Sequence, residues 1–164
     1  MKETLDFILD GGNVRRYHTR YTITSQNNAE HSYGVASIVA LIAPDCSKEL
    51  LLHALWHDVP ECLTGDIPGP AKTEYPELKK ILTKIEEGIE KQYPIFPKIS
   101  KEETAILKMA DCLETILFCQ KEHAMGNNKL ATVIESCKNK FLQMHLNYPN
   151  KTAAELFKSI TKEN

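Results

Sequence analysis

The chain has 164 residues, about one domain's worth, and 42% of them are apolar, enough to bury a sizeable core and to exclude a disordered chain. With 20 basic against 22 acidic side chains, the formal net charge is -2. That balance offers no general basic field, so it argues against a nucleic acid polymer as partner, and an anionic ligand must be handled locally by a few placed cations or a metal.

Residues 4 to 10 can form a short helix, stopped by Gly11 and Gly12. Residues 13 to 29 are basic and polar, lack a helical period and read as a loop. That loop holds Arg15, Arg16 and Arg20, the only arginines of the chain, interleaved with Tyr17 and Tyr21. Asn27 and Asn28 can cap a helix from about Glu30 to Ile42, in which Val35, Ile38, Val39 and Ile42 recur at helical spacing. Pro44 ends it. Ser47 caps a further helix through Leu50, Leu51, Ala54 and Leu55 to about Val59, where Pro60 disturbs continuation. Thr64 to Pro70 is turn chemistry. A long amphipathic helix follows, with Leu78, Ile81, Leu82, Ile85 and Ile89 on one stripe, and Pro94 and Pro97 bracket the next loop.

Ser100 and Glu103 form a capping box for a helix reaching about Ala124. Gly126, Asn127 and Asn128 stop it, and further helices are expected near 129 to 145 and from Thr152 with Glu155. Strand alternation is weak, the best stretch being Tyr21 to Thr24, which is too short to matter. With no repeat and no linker, the pattern predicts one all-α domain over residues 1 to 164, a compact bundle of about six or seven helices.

Cys46, Cys62, Cys112, Cys119 and Cys137 are odd in number and form no CxxC pair, so they read as reduced thiols of a reducing compartment. No run is long and apolar enough for a membrane span, and the first twelve residues lack the apolar stretch of a signal peptide. A cytoplasmic protein without a membrane partner is expected.

Four residues are polar where the pattern predicts burial. His31 lies in the first turn of an apolar helix, His57 and Asp58 follow Ala54-Leu55-Trp56, and Asp111 sits in Met109-Ala110-Asp111-Cys112-Leu113. A carboxylate in such a run is costly unless it is paired or metal-bound. Two imidazoles and two carboxylates make a mixed nitrogen and oxygen set suited to Mn, Co, Fe, Zn or Mg. Each residue also has an ordinary explanation, since His31 can help a cap and Asp111 can pair with a buried cation. The ordered combination of Glu30-His31, His57-Asp58-Val59-Pro60-Glu61, Thr64-Gly65-Asp66 and Ala110-Asp111 is what argues for a metal. His53 and His57 also have ligand spacing, but without Glu at position 54 the zinc-protease motif is absent.

This ordered pattern, together with Arg16-Tyr17 and Ala29-Glu30-His31-Ser32, resembles the HD-domain phosphohydrolases. Within them it is similar to the branch of YfbR-type 5′-deoxynucleotidases and the phage dATP triphosphohydrolase DatZ. The resemblance spans residues 13 to about 125 and is most specific from His57 to Pro70. It implies an HD-type helical fold, with His31, His57, Asp58 and Asp111 as ligands of a divalent ion. It also implies Glu61 acting on the attacking water or leaving oxygen, and Asp66 orienting water or holding a second ion. It further implies a deoxynucleotide as small-molecule substrate, with Arg16 as phosphate contact and Tyr17 where the family usually places a base-stacking Trp, and association into a homo-oligomer.

Arg15 can join Arg16 in clamping phosphate oxygens, Lys72 is a second candidate cation, and His18 is a further phosphate contact or else a surface residue. Glu61, three residues beyond Asp58, falls on about the same side of a helical turn and can reach water at the ion without being a ligand. Three readings remain at this level: a deoxynucleoside triphosphate triphosphohydrolase of dATP type, a 5′-deoxynucleotidase, and a catalytically dead nucleotide sensor. The clustered arginines and the short chain favour the triphosphate.

Overall fold

The computed structural model describes residues 1 to 162. Helix α1 spans Lys2–Gly12, somewhat longer than expected. Gly11 is buried, and a Cβ there would stand 2.6 Å from Val59 Cα, so only glycine lets α1 cross this close to the chain behind Asp58. Helix α2 spans Asn28–Ile42, and its capping box is formed by Asn27: the Asn27 side chain accepts from Glu30 N and the Glu30 carboxylate accepts from Asn27 N.

Helix α3, Lys48–Trp56, stops three residues short of the expected Val59. Pro60 explains this, because it carries no N–H to donate to Trp56 O. The chain tightens instead: Val59 N donates to Trp56 O at 2.9 Å, Glu61 N to Asp58 O at 3.0 Å and Cys62 N to Val59 O at 3.1 Å. It then re-enters helix as the single turn α4, Glu61–Thr64. The region expected as a turn followed by one long helix is split. A short α5, Gly69–Glu74, precedes α6, Pro76–Gln92, because Pro76 forces Tyr75 before it into an extended conformation.

Helix α7 spans Lys101–Ala124 with the Ser100/Glu103 capping box in place. A 3-10 turn, Asn128–Leu130, leads into α8, Ala131–Asn147. Helix α9, Lys151–Thr161, is capped by Asn150 rather than by the expected Thr152. The amide of Asn150 also donates to Ile42 O at 3.0 Å, which ties the start of α9 to the end of α2. The described residues thus hold seven helices of nine residues or more and two shorter ones, and they are all-α as expected.

Helix α7 is the axis of the bundle and packs against α2, α3, α8 and α9. Met109, Leu113 and Ile116 are fully buried against Val35, Val39, Leu50 and Phe141. Each such large side chain contributes roughly 1.5–3 kcal/mol. A smaller cluster of Phe7, Val59 and Ile89, with Phe7 stacked on Tyr93 at 4.0 Å, fixes α1 and α6 over the turn after α3. Among the described residues no helix is long and apolar enough to cross a membrane, and all five cysteines are free.

The loop between α1 and α2 is better ordered than its composition suggests. Its neck is an antiparallel bridge of Arg15 with Asn27, flanked by Arg16 N donating to Gln26 O at 2.9 Å and Asn28 N to Val14 O at 3.0 Å. Its far end is held by Glu122 of α7, which is fully buried. The Glu122 carboxylate accepts from Ile23 N and Thr24 N at 2.7 Å each, from Thr24 Oγ1 at 2.6 Å and from Asn127 Nδ2 at 2.8 Å. Burial alone would raise the Glu122 pKa, but these donors outweigh it and hold it down at about 2.

Replacing Glu122 by Gln puts an amide where backbone N–H groups need an acceptor. It is expected to cost about 1–3 kcal/mol in urea unfolding at pH 7. The folded-state pKa lies below the unfolded value of about 4.3, so the stabilisation is complete above roughly pH 5. It fades as pH falls towards the folded value of about 2. The gap between wild type and Glu122→Gln therefore narrows from pH 5 to pH 3; a gap that stayed constant would show that the carboxylate is not held by these bonds.

Candidate metal centre and substrate cavity

The turn imposed by Pro60 places two consecutive side chains on one target. His57 Nδ1 bonds with Ala54 O at 2.8 Å, which leaves Nε2 as the atom facing inward. His31, in the first turn of α2 and fully buried, meets it with ring centroids 5.4 Å apart. Its Nδ1 is bonded to Glu114 of α7. Asp58 Oδ2 stands 3.4 Å from His57 Nε2 and 3.7 Å from His31 Nε2. Asp111, from α7, brings Oδ1 to 3.2 Å from His31 Nε2.

Both Nε2 atoms are buried and make no hydrogen bond within the protein. One ligand atom each from His31, His57 and Asp58 lies within 4.8 Å of the others. Atoms bound to one small divalent ion at about 2.0–2.2 Å stand roughly 3–3.5 Å from one another. The two orphaned imidazole nitrogens and Asp58 approach that spacing, which suits a divalent cation, and Asp111 stands beside them, 3.2 Å from His31 Nε2.

The electrostatics are those of a concentrated charge cluster. Burial would raise the pKa of Asp58 and Asp111, but the neighbouring imidazoles and the Arg16 guanidinium hold both carboxyl groups below the usual range. Burial would lower His31, yet contacts with Asp111 and Glu114 raise it to about 9. Arg16 Nη1 donates to Asp58 Oδ2 at 2.9 Å.

Glu61 behaves differently. Burial, then the charges of Asp58 and Asp66, push it up to about 8, against the hydrogen bond from Asn28 and the charge of Lys72. Asn28 Nδ2 bridges Glu61 Oε2 at 3.0 Å and Asp58 O at 3.2 Å, and Lys72 Nζ is 3.9 Å from Glu61 Oε1. A carboxyl group poised near neutrality, next to a metal-type cluster but outside it, suits proton transfer.

Asp58, Asp111 and Glu61 open onto a cavity of about 580 Å³ between the α3–α5 segment, α7 and α8, whereas His31 and His57 lie behind them and do not line it. Arg16, Tyr17, Asp58, Glu61, Asp66, Lys72 and Asp111 all line it, so most of the expected set is brought together. Arg15 and His18 are not. Both are exposed and away from the lining: at the bridge Arg15 points outward while Arg16 takes the inward direction, and His18 lies in the turn beyond. Thr19 and Arg20 line the cavity in their place.

Tyr17, with φ of 55°, is turned so that its ring stacks on Phe118 at 4.8 Å, which covers one face. Asp66 Oδ2 accepts from Tyr17 N at 3.3 Å. No second cluster of three ligating side chains forms around Glu61 and Asp66 among the described residues. His53 bonds with Pro97 O at 3.1 Å, away from the centre.

Asn28, Glu114 and Lys140 were not expected at the site, and Arg20 was noted only as part of the basic loop. Glu114 carried a readable signal, a second carboxylate in an apolar run three residues beyond Asp111 and so on the same helix face. Asn28 looked like capping chemistry. Lys140, on the opposite cavity wall, carried no local signal.

A family model described as 5′-deoxynucleotidase YfbR-like matches residues 5–160. A 5′-deoxynucleotidase of Vibrio vulnificus is 30% identical, covering 72% of this chain and 73% of the relative. One from Erwinia tasmaniensis is 33% identical, covering 73% and 72%. In fold, the chain is similar to the cyanophage S-2L HD phosphohydrolase DatZ, solved bound to dA and one catalytic Zn2+ ion, with TM-score 0.67, 24% identity and 94% and 92% of the two chains covered. An HD-domain phosphohydrolase from Listeria innocua gives TM-score 0.67, 23% identity and 98% and 97% coverage. By sequence, this chain belongs to the YfbR-like 5′-deoxynucleotidase family, and in fold it is similar to HD-domain phosphohydrolases.

Proposed function

We propose that the protein is a metal-dependent 5′-deoxynucleotidase that releases phosphate from deoxynucleoside 5′-monophosphates, with His31, His57, Asp58 and Asp111 as metal ligands. The observation that carries this reading is the pair of buried, unbonded Nε2 atoms close together beside two carboxylates, with Glu61 in the cavity that those carboxylates line but outside the cluster. Substrate size is supported by the names of the relatives, which are 5′-deoxynucleotidases. The arginine cluster that favoured a triphosphate is weaker in three dimensions. Arg15 does not line the cavity, and Arg16 is already engaged by Asp58 at 2.9 Å.

A divalent ion held by these four residues supplies Lewis acidity towards a phosphoryl oxygen and compensates the negative charge around phosphorus. Glu61 moves the proton. Water oxygen bonds to phosphorus, the bond from phosphorus to the 5′-oxygen breaks, and Glu61 carries the proton of the water to the departing 5′-oxygen. Asn28 keeps the Glu61 carboxyl aimed at that point through its bond at 3.0 Å. Arg16 and Lys72 offset the phosphate charge from either side of Asp58 and Glu61, and the Tyr17 ring, backed by Phe118, forms an apolar wall for the nucleoside. Asp66 braces Tyr17 through the backbone.

Two measurements test the reading. Incubated with Co or Mn and a panel of dAMP, dGMP, dCMP, TMP, AMP and dATP, the protein is expected to release inorganic phosphate from the deoxynucleoside monophosphates and no triphosphate from dATP. Triphosphate release from dATP with the monophosphates untouched would reverse the substrate choice, and no hydrolysis at all with metal bound would point to a sensor. Glu61→Gln should retain the ion and lose turnover by about 10²–10⁴-fold, whereas Asp58→Asn should lose both. Equal loss of ion from the two variants would contradict the division of roles.

A further inference from the structure

Glu114 belongs to no motif that the family resemblance supplies, yet it is buried at the centre of the bundle and makes two directed bonds. One carboxylate oxygen pairs with His31 Nδ1. The other accepts from Gln26 Nε2 at 2.7 Å. The stem of Glu114 is clamped by the close approach of α2 and α7: a Cβ on Gly34, one turn beyond His31, would stand 2.7 Å from Glu114 Cγ. The two bonds, to His31 and to Gln26, hold the carboxylate behind the His31 ring.

A neutral imidazole carries its proton on one nitrogen and offers a lone pair on the other. Without metal both ring nitrogens face a carboxylate, Nδ1 facing Glu114 and Nε2 facing Asp111 Oδ1 at 3.2 Å; a cation taking the Nε2 lone pair leaves the one ring proton on Nδ1, where Glu114 accepts it. Helix α7 thus contributes twice to the same centre, with Asp111 in front of His31 and Glu114 behind it. The second bond of Glu114 runs to Gln26, whose backbone carbonyl accepts from Arg16 N at 2.9 Å in the neck of the arginine loop. One carboxylate braces both the imidazole and the strand-like segment that carries Arg16.

We infer that Glu114 is a positioning residue of the metal centre, fixing the His31 tautomer and ring orientation through Nδ1 and tying that ligand to the Arg16 loop through Gln26. The inference rests on the metal-dependent reading above, and its test separates the two. The test is titration of metal-free protein with Co(II) by calorimetry, alongside thermal unfolding of the same samples. If wild type takes up no ion, the metal-dependent reading fails.

If wild type binds, Glu114→Ala is expected to weaken binding about 10–100-fold, the range usual for loss of such an outer partner. Glu114→Gln keeps the shape, since Gln26 can turn its unbonded buried oxygen towards the new amide, and is expected to fold as wild type and bind roughly 3–10-fold more weakly. In a His31→Ala background, Glu114→Ala should cost little further affinity, which a general packing role would not produce. Should the Ala variant fail to fold, the Gln variant decides alone. Binding by Glu114→Gln within twofold of wild type, or an undiminished effect of Glu114→Ala when His31 is absent, would overturn the inference.

Discussion

Two imidazole Nε2 atoms are buried close together on rings tilted 55° to each other, without a well-formed hydrogen bond, and two carboxylates stand 3.2–3.7 Å from them. Burying polar groups in this state is costly, on the order of 1–3 kcal/mol for each unsatisfied group. Concentrating acids and bases at this distance also demands a counter-charge. A divalent cation resolves both costs at once. The remaining features of the site serve to keep these groups in that otherwise unfavourable proximity.

Backbone chemistry does much of this work. Pro60 denies Trp56 O its helical partner, so α3 ends and the next residues tighten into turns. Neighbours on a regular helix diverge by about 100°. The tightened turn lets His57 and Asp58 serve one centre while Glu61, at the start of α4, looks into the same cavity. Gly11 lets α1 lie against Val59 and close the turn from behind. The arginine loop, composed as if it were unstructured, is pinned at its neck by the Arg15–Asn27 bridge and at its tip by Glu122. The guanidinium of Arg16, which lines the cavity and bonds to Asp58, is thus held by the core helix α7 at a distance.

Much of this was legible in the sequence because it is local. The Asn27 cap and the Ser100/Glu103 capping box, the apolar stripes and the stops at Pro44 and Gly126 all act over a few residues, and the helices they predict are present. The polar residues His31, His57, Asp58 and Asp111 stood out against apolar surroundings; the first three lie together and Asp111 approaches His31 at 3.2 Å. What escaped depends on tertiary placement. Arg15 and Arg16 are chemically alike, and only the alternation of an extended segment sends one outward and the other to Asp58. Asn150 displaced Thr152 as a cap because it could also reach Ile42 O on another helix. Tyr17 was readable as an aromatic wall, but not its stacking on Phe118.

The central claim is that one cation sits between His31, His57, Asp58 and Asp111. Anomalous diffraction from crystals grown with Mn or Co tests it directly. The account predicts a single strong peak about 2.0–2.2 Å from the Nε2 atoms of both histidines and from carboxylate oxygens of both aspartates. A peak elsewhere, or well-ordered side chains at saturating metal with no peak among them, would contradict it.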